Sequence, residues 1–284
     1  MPTQSKLGQN FLCDAQAADR IVAAMGDLVG RTVVEIGPGR GAITAGLAGR
    51  AGHVLAIELD RQLAAGLRGR FPAERVTVIE KDVLDFDFAG AAEQAGERLR
   101  VAGNLPYYIT SPILLKLAAS HAALESAVLM VQREVAERVT AAPGTRDYGI
   151  LSISAQMHGP AEPLFTLPPS AFSPPPEVYS TVFRWRFAPR FAELGVEPAG
   201  FQRFVRVAFA QKRKTFANNL RAAGIPAPAA AAAMDAAAVG RQARSESLPI
   251  ETLAALWRAL DSAGALPGGE TKRSGPSGAD FGHS

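Results

Sequence analysis

Short apolar runs separated by amphipathic stretches organise most of the chain. Thr32–Ile36, Val54–Ile57, Val76–Ile79, Leu99–Ala102 and Ala127–Val131 are brief and rich in Val, Ile, Leu and Ala, the pattern of strands buried on both faces. The stretches between them carry helical spacing. Ala17, Ile21, Val22 and Met25 share one face of a helix that Asp14 caps, a second helical pattern ends near Ala48, a third follows the Leu99 run, and a fourth spans Arg133 to Ala141. An apolar segment, Ile150 to Met157, precedes the proline-dense loop Pro168–Pro176, and Val178 to Phe187, with Val182, Phe183 and Trp185, closes the sheet. Alternating strands and helices followed by a hairpin predict an α/β, Rossmann-like, doubly wound sheet, mostly parallel with an antiparallel last strand.

A composition shift at Ala188 to Pro198 marks a linker. Beyond it Phe201, Phe204, Val205, Ala208 and Phe209 line one helix face, with Arg203, Arg206 and Arg213 largely opposite. Lys212 falls on the apolar side of that wheel, so the helix is expected to break around Gln211 to Lys214. An alanine-rich helix over Ala227–Val239 and a last helix from Pro249, carrying Leu253, Leu256, Trp257 and Leu260, complete a small all-α domain. The expected organisation is an α/β domain over 1–188, a helical domain over 189–263, and a disordered tail over 264–284 rich in Gly, Pro and Ser.

Composition narrows the function classes. The 284 residues, 48% hydrophobic and 20% charged, contain no apolar run long enough for a membrane span, and Met1–Gln9 lacks the order of a signal peptide, so a cytoplasmic protein is expected. One cysteine, Cys13, excludes an intramolecular disulfide and a cysteine-based metal site, and the four His show no metal-ligand spacing. Net charge is only +3, but six basic residues and no acidic one lie between Phe201 and Arg221. Such a stretch suits a polyanion, since each Lys or Arg near a phosphate releases counterions; a solvated helix face is the plainer alternative.

The chemistry gathers at strand ends. Gly37-Pro38-Gly39-Arg40-Gly41-Ala42 lets a ligand approach the backbone beside a helix N-terminus, and Glu58, 21 residues after Gly37, ends the next strand where a carboxylate accepts both hydroxyls of a ribose. Asp82 stands after the third strand, positioned to accept from a cofactor adenine amine or to cap a helix. Gly103-Asn104-Leu105-Pro106-Tyr107-Tyr108 follows the fourth: an Asn oxygen and a neighbouring carbonyl can accept both N–H groups of an adenine amine while Tyr107 stacks on the base. Phe172, in the stiff proline loop, either plugs the core or supplies the second face of that stack.

With these residues in view the chain resembles the rRNA adenine N6,N6-dimethyltransferases over about residues 5 to 260. The resemblance rests on Gly8-Gln9-Asn10-Phe11-Leu12, Val34-Glu35-Ile36-Gly37-Pro38-Gly39, Ile57-Glu58-Leu59-Asp60, Asp82, Asn104-Leu105-Pro106-Tyr107, Pro169 to Pro176 and Gln211-Lys212-Arg213-Lys214-Thr215. It implies a class I methyltransferase sheet and S-adenosylmethionine as donor, contacted at Asn10, Leu12, Gly37, Glu58, Asp82 and Asn104. The acceptor site it implies comprises Asn104, Leu105, Pro106, Tyr107 and Phe172, with no metal. It also implies two methyl groups on each of two adjacent adenines in the 3′-terminal hairpin of small-subunit rRNA, late in subunit assembly. The basic residues Arg203, Arg206, Lys212, Arg213 and Lys214 then become RNA contacts of a helical RNA-binding domain, and a monomer is expected. The chain departs from the family pattern at Tyr108, Glu177 and Tyr179, to which the resemblance assigns nothing.

Three alternatives remain open on the sequence. A macrolide-resistance-type methyltransferase of large-subunit rRNA would share most of these motifs but not Gln211–Thr215; a nicotinamide-dependent oxidoreductase would use Gly37–Ala42 and Glu58 but leave Asn104–Tyr107 idle. A non-catalytic ribosome assembly factor would work through the basic stretch.

Overall fold

The computed structural model describes residues 10–266; Gly8 and Gln9 of the first motif and the expected tail from 267 on lie outside the described residues. The chain divides into two compact units between Glu193 and Leu194, inside the stretch where composition shifts.

Among the described residues of the first unit, strands and helices follow one another as β1 (Phe11–Leu12), α1 (Ala15–Ala24), β2 (Thr32–Ile36), α2 (Ala42–Arg50), β3 (His53–Glu58), α3 (Arg61–Arg70), β4 (Val76–Glu80), α4 (Phe88–Ala95), β5 (Leu99–Asn104), α5 (Thr110–Ala119), β6 (Leu124–Gln132), α6 (Arg133–Thr140), α7 (Ile150–Met157), β7 (Ala161–Leu167), β8 (Phe172–Ser173) and β9 (Ser180–Arg186). Seven strands form one sheet in the order β4-β3-β2-β5-β6-β9-β7. The five from β4 to β6 are parallel, and β9 runs antiparallel to both neighbours. Because side chains alternate across a strand, Val33 and Ala102 enter the apolar cluster shared with α1 and α2, while Val34 and Val101 enter the one shared with α5. Burial on both faces explains the continuous apolar runs.

The hairpin differs from expectation in one respect. The last strand in sequence, β9, is inserted between β6 and β7, and the edge belongs to β7, which the apolar pattern does not reveal. Its Glu162 and Pro163 are exposed and the register shifts between Pro163 and Phe165. An edge strand tolerates a residue without an N–H, so the proline that obscures the strand is also what its position permits. β1 and β8 pair separately, Leu12 opposite Phe172, and tie the N-terminal segment to the proline loop.

In the second unit α8 (Pro198–Ala208), α9 (Phe216–Ala222), α10 (Ala227–Ala236) and α11 (Ile250–Ser262) pack around Phe201, Phe204, Phe216, Leu253 and Leu256. The helix stops at Ala208, ahead of Lys212, as the misplaced charge predicts.

Candidate active site

The parallel strands deliver their C-terminal ends to one edge, and an open cleft lies there. Asn10, Leu12, Gly37, Glu58, Asp82, Asn104, Leu105, Pro106 and Tyr107 all line it, so nine of the sequence-predicted site residues meet in one place, with Phe11 beside them. Glu35, Leu59 and Tyr108 join them.

The glycine loop between β2 and α2 shapes one wall. Gly39 has φ +57°, and a Cβ there would stand 3.0 Å from the Phe11 ring, so only glycine lets the N-terminal segment close over the loop. Gly103 serves the same end differently: a Cβ would lie 2.8 Å from the Ile36 carbonyl oxygen, which would push β5 and β2 apart where the motif begins.

Three carboxyl groups face this wall. Glu58 Oε2 accepts from the Gly39 N–H at 3.0 Å and Oε1 from the Asp60 N–H at 2.9 Å, which fixes a buried carboxylate against the loop. A carboxylate has about four acceptor positions, so capacity remains for a diol. Asp82 caps a short 3-10 turn, Oδ1 accepting from Leu84 N–H at 2.9 Å, and its Oδ2 accepts nothing among the described residues. Both readings of Asp82, cap and ligand acceptor, are thereby compatible. Glu35 is 1% exposed, and its Oε2 is buried without a hydrogen-bond partner among the described residues. Burial pushes its carboxyl up to about 7, with Thr44 opposing the rise and the Glu58 carboxylate adding to it. A Glu58 with spare acceptor positions, an open Asp82 oxygen, an apolar Leu59 that is half exposed, and an orphaned acid fit a nucleoside cofactor carrying positive charge.

Beside the glycine loop the cleft is lined by the Asn104 motif. Asn104 Nδ2 donates to the Asn10 carbonyl oxygen at 3.1 Å. Because that carbonyl can only accept, the amide's orientation is determined, and Oδ1 is left as an acceptor. The Leu105 N–H donates to the Met130 carbonyl at 2.9 Å, holding the turn to β6, while the Leu105 carbonyl accepts nothing among the described residues. Tyr107 is half-buried; its hydroxyl shares a hydrogen bond with Ser180 Oγ at 2.8 Å, and burial raises its pKa, which keeps the phenol neutral.

Phe172 requires a correction. It does not line the cleft: its side chain is 4% exposed and sits in the apolar cluster with Leu12, Ala17, Met130 and Val182. Strand pairing with Leu12 places the ring in the core, so here it plugs rather than presents a second stacking face.

In the second unit Arg203, Arg206, Lys212, Arg213 and Lys214 are all exposed, and none forms an ion pair among the described residues. Buried Asn219 shapes the turn that carries three of them: Nδ2 donates to the Ala208 carbonyl at 2.7 Å and the Gln211 carbonyl at 3.3 Å, and Oδ1 accepts from the Gln211 N–H at 3.2 Å. Sequence reasoning missed Asn219, whose type suggests only a turn or cap. It also missed Glu35, although an acid within the apolar run Val33–Ile36 was a visible signal, and Ser180, which gave none.

The mostly parallel sheet with an antiparallel insertion, the glycine loop and the acids at successive strand ends define a class I methyltransferase. The chain belongs to the ribosomal RNA adenine dimethylase family, whose sequence profile matches residues 2–261. It is 60% identical over 257 residues to ribosomal RNA small subunit methyltransferase A of Acidobacterium capsulatum, covering 90% of each chain. It is 48% identical over 269 residues to the protein of the same name from Koribacter versatilis, covering 90% of this chain and 94% of that one. Among solved structures, a dimethyladenosine transferase from Plasmodium falciparum shares the fold with a TM-score of 0.78 at 23% identity, over 90% of this chain and 98% of the other. The 23S rRNA methyltransferase ErmE is 27% identical with a TM-score of 0.70, over 89% of this chain and all of that one.

Among the described residues no helix is long and apolar enough to cross a membrane.

Proposed function

We propose that the protein transfers methyl groups from S-adenosylmethionine to N6 of two adjacent adenines in the 3′-terminal hairpin of small-subunit rRNA. The products are N6,N6-dimethyladenosines, formed within an immature ribosomal subunit by a cytoplasmic monomer. The observation that carries this reading is the orientation of Asn104, whose amide is held by the Asn10 carbonyl with Oδ1 free beside an unpaired Leu105 carbonyl.

Two acceptors side by side are what an amine with two N–H groups requires. The amine is a poor nucleophile because its lone pair is delocalised into the ring. Asn104 Oδ1 and the Leu105 carbonyl favour the geometry in which nitrogen turns pyramidal, and they stabilise the positive charge that grows on it. The Tyr107 ring, steadied by Ser180, offers a face to the base, and stacking worth about 1–3 kcal/mol offsets the few kcal/mol that unstacking costs. S-adenosylmethionine, when bound, supplies a methyl on a sulfonium that leaves as a neutral thioether. Glu58 would hold its ribose hydroxyls, Asp82 Oδ2 its adenine amine, and Leu59 the face of that base, while Asn10, Leu12 and Gly37 bound the cleft around it. No strong base is demanded, and Tyr107, its pKa raised, is not one.

Arg203, Arg206, Lys212, Arg213 and Lys214 supply the phosphate contacts that position RNA without reading its sequence. The choice of small over large subunit is supported by 60% identity to a small-subunit enzyme across nine-tenths of the chain, against 27% to ErmE. Incubation of the protein and labelled S-adenosylmethionine with small subunits lacking the modification and, in parallel, with unmodified large-subunit rRNA, followed by mass-spectrometric mapping, tests the proposal. Dimethyladenosine at two adjacent positions of the terminal hairpin is expected; label confined to large-subunit rRNA would overturn it.

A further inference from the structure

Three exposed apolar or aromatic residues lie on the first unit's catalytic edge or beside it without a role: Tyr108, Val178 and Tyr179. Tyr108 lines the cleft and is 58% exposed. Tyr179 is 46% exposed, outside the cleft. The Tyr107 hydroxyl bonds to Ser180, so the residue before Tyr108 touches the residue after Tyr179. The two exposed rings are therefore joined through the acceptor motif itself.

Tyr179 is also backed. The Arg133 N–H donates to its carbonyl at 2.9 Å, and the Arg133 guanidinium stands 5.3 Å from its ring centroid. Arg133 follows the last residue of β6, and Gln132 pairs with Ser180, so sheet register places cation and ring together. The guanidinium's partner is Glu137, at 3.6 Å with both side chains more than half exposed, a pair too weak and too solvated to occupy it. A ring with one face on a guanidinium and much of its surface open is a stacking platform with a phosphate-binding cation alongside, the combination that single-stranded nucleic acid recognises.

We propose that Tyr179, backed by Arg133, binds an unpaired nucleotide flanking the acceptor adenine, with Tyr108 as the aromatic contact at the cleft rim. This rests on the reading of the cleft as an RNA adenine site. It adds to that reading a subsite that holds the neighbour of the flipped base. An unpaired base has lost its own stack, so the platform lowers the cost of opening the RNA beside the target.

The test uses the full chain and a hairpin RNA bearing 2-aminopurine, a fluorescent base quenched by stacking, on either side of the target adenine in turn. Wild-type protein is expected to change the fluorescence at one of the two positions, Tyr179→Phe to preserve the change, and Tyr179→Ala to abolish it. Tyr179→Ala should raise the KM for RNA about tenfold, with kcat and S-adenosylmethionine affinity within twofold of wild type. An abasic nucleotide at the responsive position should cost wild type the same factor and add nothing to Tyr179→Ala. No response at either position, an unchanged response in Tyr179→Ala, or independent penalties for the abasic site and the substitution would each overturn the proposal. The fluorescence reports on the platform even if no methyl is transferred, an outcome that would instead remove the reading of the cleft as a methylation site.

Discussion

Asn104 donates its amide to the backbone carbonyl of Asn10 across 94 positions of sequence. The N-terminal segment thus orients the acceptor motif through its main chain, while the Asn10 side chain makes no hydrogen bond among the described residues. Asn10→Ala is accordingly expected to leave turnover within about threefold of wild type. Steady-state kinetics at saturating RNA and S-adenosylmethionine check this, and a loss beyond tenfold would mean that the Asn10 amide itself acts in the site.

What holds that segment is apolar. Leu12 pairs with Phe172, and both are buried in one cluster. Phe172→Ala should therefore act first on stability, costing about 3–5 kcal/mol as is usual for a buried phenylalanine, and reduce turnover through a loosened Asn10 carbonyl. Phe172→Leu should recover most of both. Thermal denaturation alongside kinetics separates this from a stacking role, in which Phe172→Ala would weaken RNA capture with no loss of stability.

Glu35 makes the first unit sensitive to pH. Its carboxyl is raised from 4.5 to about 7 in the folded chain, so below about pH 4.5 both states are protonated and ionisation adds no cost. Between about 4.5 and 7 the unfolded chain ionises while the folded one keeps its proton, and stability falls; above 7 the loss levels off, at an order of about 3 kcal/mol. Glu35→Gln removes this dependence, so its melting temperature relative to wild type should rise by several degrees between pH 5 and pH 8. A cationic ligand near Glu35 favours the carboxylate, and S-adenosylmethionine affinity should increase as pH rises through about 7 in wild type but not in Glu35→Gln. Calorimetry in buffers of different ionisation enthalpy reads the proton released.

In the second unit, removing Asn219 leaves the Gln211 backbone without its side-chain partner and the Ala208 carbonyl with the Ser245 hydroxyl alone. Asn219→Ala should cost about 1–3 kcal/mol and weaken RNA binding without altering cofactor affinity. Replacing Lys212, Arg213 and Lys214 with Gln should lower RNA affinity at low salt and flatten the dependence of log K on log salt by roughly 0.7–0.9 for each phosphate no longer neutralised. Filter binding across a salt series measures both.

Much of this was legible from residue order because buried parallel strands write themselves as apolar runs and their ends carry the chemistry. Thr32–Ile36 matches its strand residue for residue, and Lys212 on an apolar face announced the end of α8. Long-range pairing was not legible. β7 was hidden by Glu162 and Pro163, which its edge position permits, and the choice between core plug and stacking face at Phe172 was decided only by its pairing with Leu12, far away in sequence. Ser180 beneath the Tyr107 hydroxyl and Asn219 beneath the basic turn are likewise products of tertiary contact, with no local signature.

Asn104 Oδ1, oriented by Asn10, is the proposed acceptor of the target amine, and everything else at the site depends on that role. Asn104→Ala, assayed for methyl transfer to unmodified small subunits and for S-adenosylmethionine binding, tests it most directly. Turnover is expected to fall about 10²–10³-fold, the usual effect of removing one preorganised electrostatic partner, with cofactor affinity within a few-fold of wild type. Near-normal methyl transfer by this variant would contradict that role.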